Sequence, residues 1–413
     1  MAKKMLFLFV LLLSLTGMLK AQVTTAGMSG KVVADEEAVI GATVVAVHEP
    51  SGTSYGTVTN IDGRFSLQGM RSGGPYKVTV SYVGYQTAIY TGIQLQLGET
   101  YSLNVTLHEA SELLGEITIT ASKSKFSAEK TGATTNISSE QLTTLPSINR
   151  SISDFTRISP YASGNSFGGR DGRSNTFTVD GANLNNNFGL SSGLPGGGNP
   201  ISLDAIDEVQ VVIAPYDVRQ ANFIGAGINA ITKSGTNAYR GSAYMYFNNE
   251  VMRGNKIGDT DFGVRAEESK TVYGATFGGP IIKDKLFFFA NVEYEKSPQQ
   301  VITWRAAKEG ETPNNSTISR TTEADLAEFS QILKDKYRYN TGSFTDFPAD
   351  VTNLKLLGRI DWNINQGNKL SVRYNFTNNK TWEAPNGSSG NTGYRLAYNR
   401  VSAYSMSYAN SCY

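Results

Sequence analysis

Between Tyr239 and Asn378 apolar and polar residues alternate with a period of two, in runs too numerous for an isolated hairpin. Leu286, Phe288, Ala290, Val292 and Tyr294 alternate with Phe287, Phe289, Asn291, Glu293 and Glu295. In Leu354 to Ile364, Leu354, Leu356, Ile360, Trp362 and Ile364 interleave with Lys355, Arg359, Asp361 and Asn363. In Lys369 to Asn378, Leu370, Val372, Tyr374 and Phe376 interleave with Ser371, Arg373, Asn375 and Thr377. Tyr239 to Asn248 and Lys270 to Gly279 follow the same rule, and Leu396 to Tyr408 is at best a sixth run. Successive side chains of a strand point to opposite faces, so each run has an apolar face and a polar one. A single such strand would suit a soluble sandwich equally well. The connections discriminate: Ile281 to Lys285 and Asn365 to Asn368 are tight, whereas Asn249 to Ser269, Lys296 to Asn353 and Asn379 to Gly393 are long. Alternating short and long connections are those of a membrane barrel with lipid outside and a polar lumen. The long middle connection carries a helical stretch, Thr322 to Asp335, with Thr322 and Asp325 spaced as a capping box and Leu326, Phe329 and Leu333 as its stripe. Its rival is a core helix of a soluble domain.

The rest of the chain agrees with export. Lys3 and Lys4 precede the nearly uninterrupted apolar run Met5 to Leu15, and a polar stretch ends at Ala21, so residues 1–21 have the form of a secretory signal. The run is shorter than the roughly 20 residues a spanning helix needs, and no later segment has that length and apolarity. If the mature chain enters a membrane, it has to do so as a closed barrel. Lys and Arg number 37 against 36 Asp and Glu, so no basic field exists to draw nucleic acid. The 42 glycines and 21 tyrosines fit turn-rich β structure. Cys412 is the only cysteine and His48 and His108 the only histidines, which leaves no disulfide, no lipid-modified terminus and no zinc set. No catalytic residue, cofactor or metal is expected.

From Met28 to Leu107, short alternating runs such as Thr43 to Val47, Gly63 to Leu67 and Tyr76 to Val80 are separated by turn signals at Asp62-Gly63 and Gly73-Gly74-Pro75. Such spacing implies a β-sandwich. Gly41-Ala42-Thr43-Val44, Thr59 to Phe65 and Val80 to Tyr85 resemble the carboxypeptidase-regulatory-like domain, which implies a transthyretin-like or carbohydrate-binding-like sandwich over residues 22–109 and says nothing of hydrolysis.

A linker, 110–122, contains the β-prone segment Glu116, Ile117, Thr118, Ile119, Thr120, followed by polar Ser122 to Lys125. An exposed extended segment can add to a partner's sheet edge through main-chain hydrogen bonds, and by position and pattern it resembles a TonB box. A last sandwich strand or a first strand of the next domain are alternatives the residues leave open. Ser138 to Pro160 suggests two short helices, the first capped by Ser139, interrupted at Pro146, the second presenting Ile152, Phe155 and Ile158. Phe177-Thr178-Val179-Asp180-Gly181-Ala182-Asn183 and Ile206 to Val211 resemble the plug of TonB-dependent outer-membrane receptors. Ala214 to Gln220 and Gly225 to Asn237 resemble the Oar-like branch of that family more specifically. The Asn-x-x-x-Gly-Arg motif of SusC glycan importers has no clear counterpart, which disfavours that branch.

Three other motifs fail in context. Gly164-Asn165-Ser166-Phe167-Gly168 fits a nucleophile elbow but has no histidine after it. Gly225 to Ala230 mimics a dinucleotide fingerprint but is followed by polar Thr232 to Asn237 where a helix should begin. Asp180, Asn183, Asn185 and Asn187 lack the carboxylate density of a calcium loop; as polar plug-loop residues, Asn183, Asn185 and Asn187 are candidates for contacting a polar substrate.

The expected class is therefore mainly β: a transthyretin-like sandwich, an α+β plug over 123–237, and the first strands of an outer-membrane barrel over 238–413. Plugged transporters have about 22 strands and open edges do not persist in lipid, so a truncated frame is expected. The resemblance implies an outer-membrane location with the sandwich in the periplasm. It also implies coupling to TonB with ExbB–ExbD and substrate passage by plug displacement, and it leaves open a lipoprotein partner, the substrate and the direction of transport. The competing function is a secreted or surface carbohydrate-binding or adhesion protein, which leaves the alternating strands unexplained.

Overall fold

The computed structural model describes residues 23–109, 117–120, 133–147, 150–185, 194, 199–215, 220, 223–261, 269–298, 305–313, 318–341, 350–365, 367–383 and 405–412. Three successive units are built from them.

The first contains β1 (Ala26–Ala34), β2 (Glu37–Ala38), β3 (Thr43–His48), β4 (Thr53–Val58), β5 (Arg64–Met70), β6 (Gly73–Ser81), β7 (Ala88–Leu95), β8 (Thr100–Ser102), β9 (Val105–Leu107) and β10 (Ile117–Thr120). One sheet is centred on β1, with β2 and β5 antiparallel and β8 and β9 parallel to it; the other runs β10-β7-β6-β3-β4. Alternate residues, among them Met28, Val32, Val44, Phe65, Leu67, Val78 and Val80, fill the space between them, as sandwich packing requires. Gly30 is needed for this closure, because a Cβ there would stand 1.8 Å from the Leu103 carbonyl oxygen. Gly63, at φ 70°, closes the expected Asp62-Gly63 turn. The expected turn at Gly73 to Pro75 is instead the irregular start of β6, whose pairing with β7 shifts register between Gly73 and Tyr76.

The second unit has β11 (Ala133–Ser138), α1 (Ser139–Thr144), α2 (Ile152–Thr156), β12 (Ala162–Ser163), β13 (Ser166–Phe167), β14 (Thr176–Val179), β15 (Ala182–Asn183), β16 (Ile206–Ala214) and β17 (Gly227–Thr232). Its sheet order is β11-β16-β17-β14-β15, and Ile137, Phe155, Phe167, Phe177, Leu184 and Val209 form its core. The first helix is capped one residue earlier than expected: the Ser138 N–H donates to Gln141 Oε1 at 3.0 Å. The second ends at Thr156, so Ile152 and Phe155 are buried while Ile158 lies past the helix and is exposed.

The third has β18 (Arg240–Asn249), β19 (Lys256–Ile257), β20 (Thr260–Asp261), β21 (Ser269–Ile282), β22 (Leu286–Pro298), β23 (Arg305–Ala307), β24 (Ile318–Thr322), α3 (Glu323–Tyr337), β25 (Asp350–Asn363), β26 (Lys369–Glu383) and β27 (Ser405–Cys412). The six long strands form an antiparallel meander, β18-β21-β22-β25-β26-β27. Of the expected run Leu396 to Tyr408, residues 396–404 lie outside the described ones, and the described part belongs to the last strand, Ser405–Cys412. Thr322 caps α3 as expected, its hydroxyl accepting from the Asp325 N–H, but of the proposed stripe only Leu326 is fully buried. No helix among the described residues is long and apolar enough to cross a membrane, which says nothing of the strands.

The alternation settles into two faces. Phe287, Phe289, Asn291 and Glu293 of β22 are buried on the concave side, while Val292 and Tyr294 are exposed on the convex side with Leu356, Ile360, Trp362, Leu370, Val372 and Tyr374 of β25 and β26. Near the tight turns the convex face carries a stacked Tyr239 and Phe277, with ring centroids 6.0 Å apart, and Phe288 against Phe277 at 5.6 Å. Aromatic rings near the end of an apolar band suit a membrane interface.

Candidate functional site

The middle unit lies against the concave face of β18 to β26, and the residues that meet there are mostly polar. Phe289 and Leu357 are the barrel side chains that join its apolar core. Around them sit two polar clusters at different heights. β25 runs from the long-connection end toward the tight turns, so Lys355 lies higher than Arg359 and Asp361.

In the upper cluster Glu293 is the hub. Lys355 Nζ is 2.8 Å from its Oε1; Ser202 Oγ and Tyr244 OH donate to Oε2 at 2.8 and 2.9 Å. Arg150 lies 3.9 Å from the same carboxylate, contacts Asp204 directly, and places its guanidinium 3.7 Å over the Tyr246 ring. Lys355 and Glu293 side chains are only 3% and 4% exposed, so each charge depends on the other. Beside them the Pro200 carbonyl accepts from Thr377 Oγ1 at 2.6 Å.

The lower cluster centres on the Asp180-Gly181 turn, where φ is 49° and 87°. Asp180 accepts from the Thr232 N–H at 3.0 Å and the Thr232 hydroxyl at 2.6 Å, which ties β14 to the end of β17. Arg373 and Arg359 lie 3.5 and 3.9 Å from its carboxylate. Arg359 donates to Asp361 through Nε and Nη2 at 2.8 and 3.1 Å and to the Thr232 carbonyl at 2.5 Å. Between the clusters a cavity of about 200 Å³ is lined by Val179, Asp180, Leu184, Leu357, Arg373 and Asn375.

The sandwich closes the tight-turn end. Leu97 N–H points at both Glu208 carboxylate oxygens, at 3.0 and 3.1 Å, and the Leu97 carbonyl accepts from Gln210. Burial pushes the Glu208 carboxyl up to about 8, against the lowering pull of the Leu97 N–H, and burial likewise raises Asp207. The Asn237 N–H donates to the Pro50 carbonyl at 2.8 Å, and Asn363 Nδ2 to Thr53 Oγ1 at 2.9 Å.

The residues singled out from sequence fall in different places. Ile117–Thr120 is laid parallel along β7, with Ile117 opposite Ala88, as the outermost strand of the sandwich sheet; Glu116 lies outside the described residues. Asn183 is exposed and its Oδ1 accepts from the Asn185 N–H at 2.8 Å. Asn185 turns inward instead: its Oδ1 accepts from the Phe177 N–H at 2.7 Å and its Nδ2 donates to the Asn175 carbonyl at 2.9 Å, so its amide holds the loop to β14. Asn187 lies outside the described residues. The two polar clusters escaped sequence reasoning because Glu293, Lys355 and Arg359 show there only as the polar members of an alternation, with no sign of which middle-unit residue each meets.

Residues 27–108 match the model of the carboxypeptidase regulatory-like domain, and residues 231–410 that of an outer membrane beta barrel domain. A curated relative, the TonB-dependent transporter Oar of Myxococcus xanthus, is 25% identical over 344 residues, covering 78% of this chain and 30% of its own length. The chain is similar to the TonB-dependent receptors. Partial likeness extends to solved structures: the siderophore receptor PirA of Acinetobacter baumannii, at 19% identity and TM-score 0.41 over 68% of this chain and 37% of that one. Another is a mutant of the ferric enterobactin receptor PfeA of Pseudomonas aeruginosa, at 15% and 0.43 over 69% and 39%. The chain thus spans about a third of the length of the relatives it matches, is placed in the outer membrane by its barrel strands, and resembles a curated transporter rather than an enzyme.

Proposed function

We propose that the chain carries the sandwich, the plug and the first barrel strands of an energy-coupled transporter that moves a substrate across the outer membrane by displacing the middle unit. The observation that carries this reading is the seam between that unit and the wall. It is held mainly by carboxylates, guanidiniums, hydroxyls and backbone carbonyls, with only Phe289 and Leu357 of the described wall residues joining the plug's apolar core. Apolar burial is lost in proportion to area exposed, whereas charged and hydroxyl groups exchange their partners for water and can re-form, which suits a part that moves and returns.

In this reading the segment Glu116 to Thr120 is the handle. The sheet order ends at β10 among the described residues, so one edge of Ile117–Thr120 is open for a strand of TonB to pair with. ExbB–ExbD would supply the pull from the inner membrane. Asn183, exposed beside the Asp180-Gly181 turn, stays a candidate for touching a polar substrate, as does Asn187; a lipoprotein lid is compatible with the long connections.

Deleting Glu116 to Ala121 from the whole gene product tests the coupling role. The expected result is loss of disulfide capture between this segment and TonB and loss of energy-dependent uptake, with outer-membrane assembly unchanged. Undiminished capture and uptake would remove the segment from the mechanism.

A further inference from the structure

Each element that the transporter reading sets in motion is also touched by the sandwich. Arg71, in the β5–β6 connection, reaches under the plug to within 4.0 Å of Asp361 on the barrel wall. The residue two positions later, Gly73, lies 4.0 Å from Asp207 Oδ2 of the plug, measured from where its Cβ would stand. On one side of this point Glu208 and Gln210 of β16 grip both backbone groups of Leu97, and Asn136 of β11 also donates to the Leu97 carbonyl, at 3.5 Å. On the other side the sandwich is fastened to the barrel rim. Asn237 bonds to Pro50, Asn363 to Thr53, and Lys369 Nζ sits 3.2 Å over the Tyr55 ring. Asp284, which accepts from Asn237 at the 283–285 turn, leaves no room for a Cβ at Gly52.

The contacts therefore run across the periplasmic exit, from plug strands to both tight turns. We propose that the β-sandwich is a bolt across that exit, with Arg71 as its tongue, and that it must undock before the plug can be drawn out. This rests on the transporter reading for its purpose, but the contact itself can be tested without any substrate. The topology makes the order of events specific. Tension applied at Ile117–Thr120 passes through residues 121–132 to β11, and β11 cannot leave while Asn136 and its neighbour β16 are held by Leu97.

The test is force-clamp pulling on a handle at residues 117–120 of the whole chain in lipid nanodiscs, in a Cys412→Ser background. A Cβ at Gly52 would lie 2.9 Å from the Asp284 carboxyl carbon, which puts a Gly52→Cys and Asp284→Cys pair within disulfide reach. With the disulfide closed the plug should stay in place at a force that extracts it once reductant is added. Arg71→Ala should speed extraction about tenfold, since it leaves Asp361 and Asp207 without that cation, and Arg71→Lys should recover part of the loss. Equal extraction rates in the oxidised and reduced protein, or a parental rate for Arg71→Ala, would overturn the bolt. Failure of TonB to capture the intact segment of the parent protein, with these rates as predicted, would instead count against the transporter reading alone.

Discussion

Glu208 should make the joint between sandwich and plug sensitive to alkali. Its carboxyl is 7% exposed and receives one backbone N–H, which compensates only part of the cost of holding a charge away from water. Burial moves it from the ordinary 4.5 to about 8. At about 1.4 kcal/mol per pH unit, keeping Glu208 ionised in the docked joint costs on the order of 5 kcal/mol relative to the undocked, hydrated state. The sign follows from the upward shift: the docked state binds the proton more tightly. Stabilisation is complete below about pH 4.5, falls as pH rises, and is spent above about pH 8. Glu208→Gln keeps an acceptor for the Leu97 N–H and removes the ionisation. The free energy of sandwich release, taken from urea-dependent proteolysis at pH 5.5 and pH 8.5, should fall by about 3 kcal/mol in the parent and much less in the variant. A residual slope belongs to Asp207, which burial shifts in the same direction. Parallel curves for parent and variant would refute the account.

Other outcomes are equally direct. Lys355→Met should weaken retention of the plug by about 3 to 5 kcal/mol, because Glu293 is left buried without its nearest cation; the double variant with Glu293→Gln should regain most of it. Protease susceptibility of the plug in the assembled receptor reads both, and an unchanged Lys355→Met would discount the upper cluster. Leu356→Arg, mid-strand on the lipid face, should cost roughly 2 to 4 kcal/mol of assembly, and Ile360→Arg, paired with Phe288 nearer the interface, no more than about 1 kcal/mol. The yield of membrane-inserted protein measures both, and Asp361→Asn, one residue along and facing inward, should leave insertion intact.

Much of the fold is legible in the chain because alternation is a local property. Leu354 to Ile364 and Lys369 to Asn378 declare both faces of their strands, and the adjoining residues Asn365 to Asn368 fix their pairing. The sandwich is equally readable, since each strand needs only its own two-residue period and a turn such as Asp62-Gly63. What could not be read is which polar residue of one unit meets which of another. Arg71 is an ordinary loop arginine until β5 and β6 carry it beneath the wall, and Asn185 resembles a ligand-binding amide until its bonds to Phe177 and Asn175 are seen. The coupling segment is the intermediate case. Its β propensity was plain, but its parallel seat along β7 depends on an edge that lies some 25 to 30 residues earlier in the chain, between Ala88 and Thr91.

The concave wall has a consequence for what happens after movement. Asn291, Glu293, Lys355, Asp361, Asn375 and Thr377 are buried on the concave face, which the plug covers. Take the plug away and most of the surface left behind is already wettable: water can occupy each vacated polar partner position without any strand shifting, and Phe289 and Leu357 are the apolar side chains of the plug core that the wall gives up to it. Opening then demands work only at the joints that hold the plug, and the passage itself needs no rebuilding.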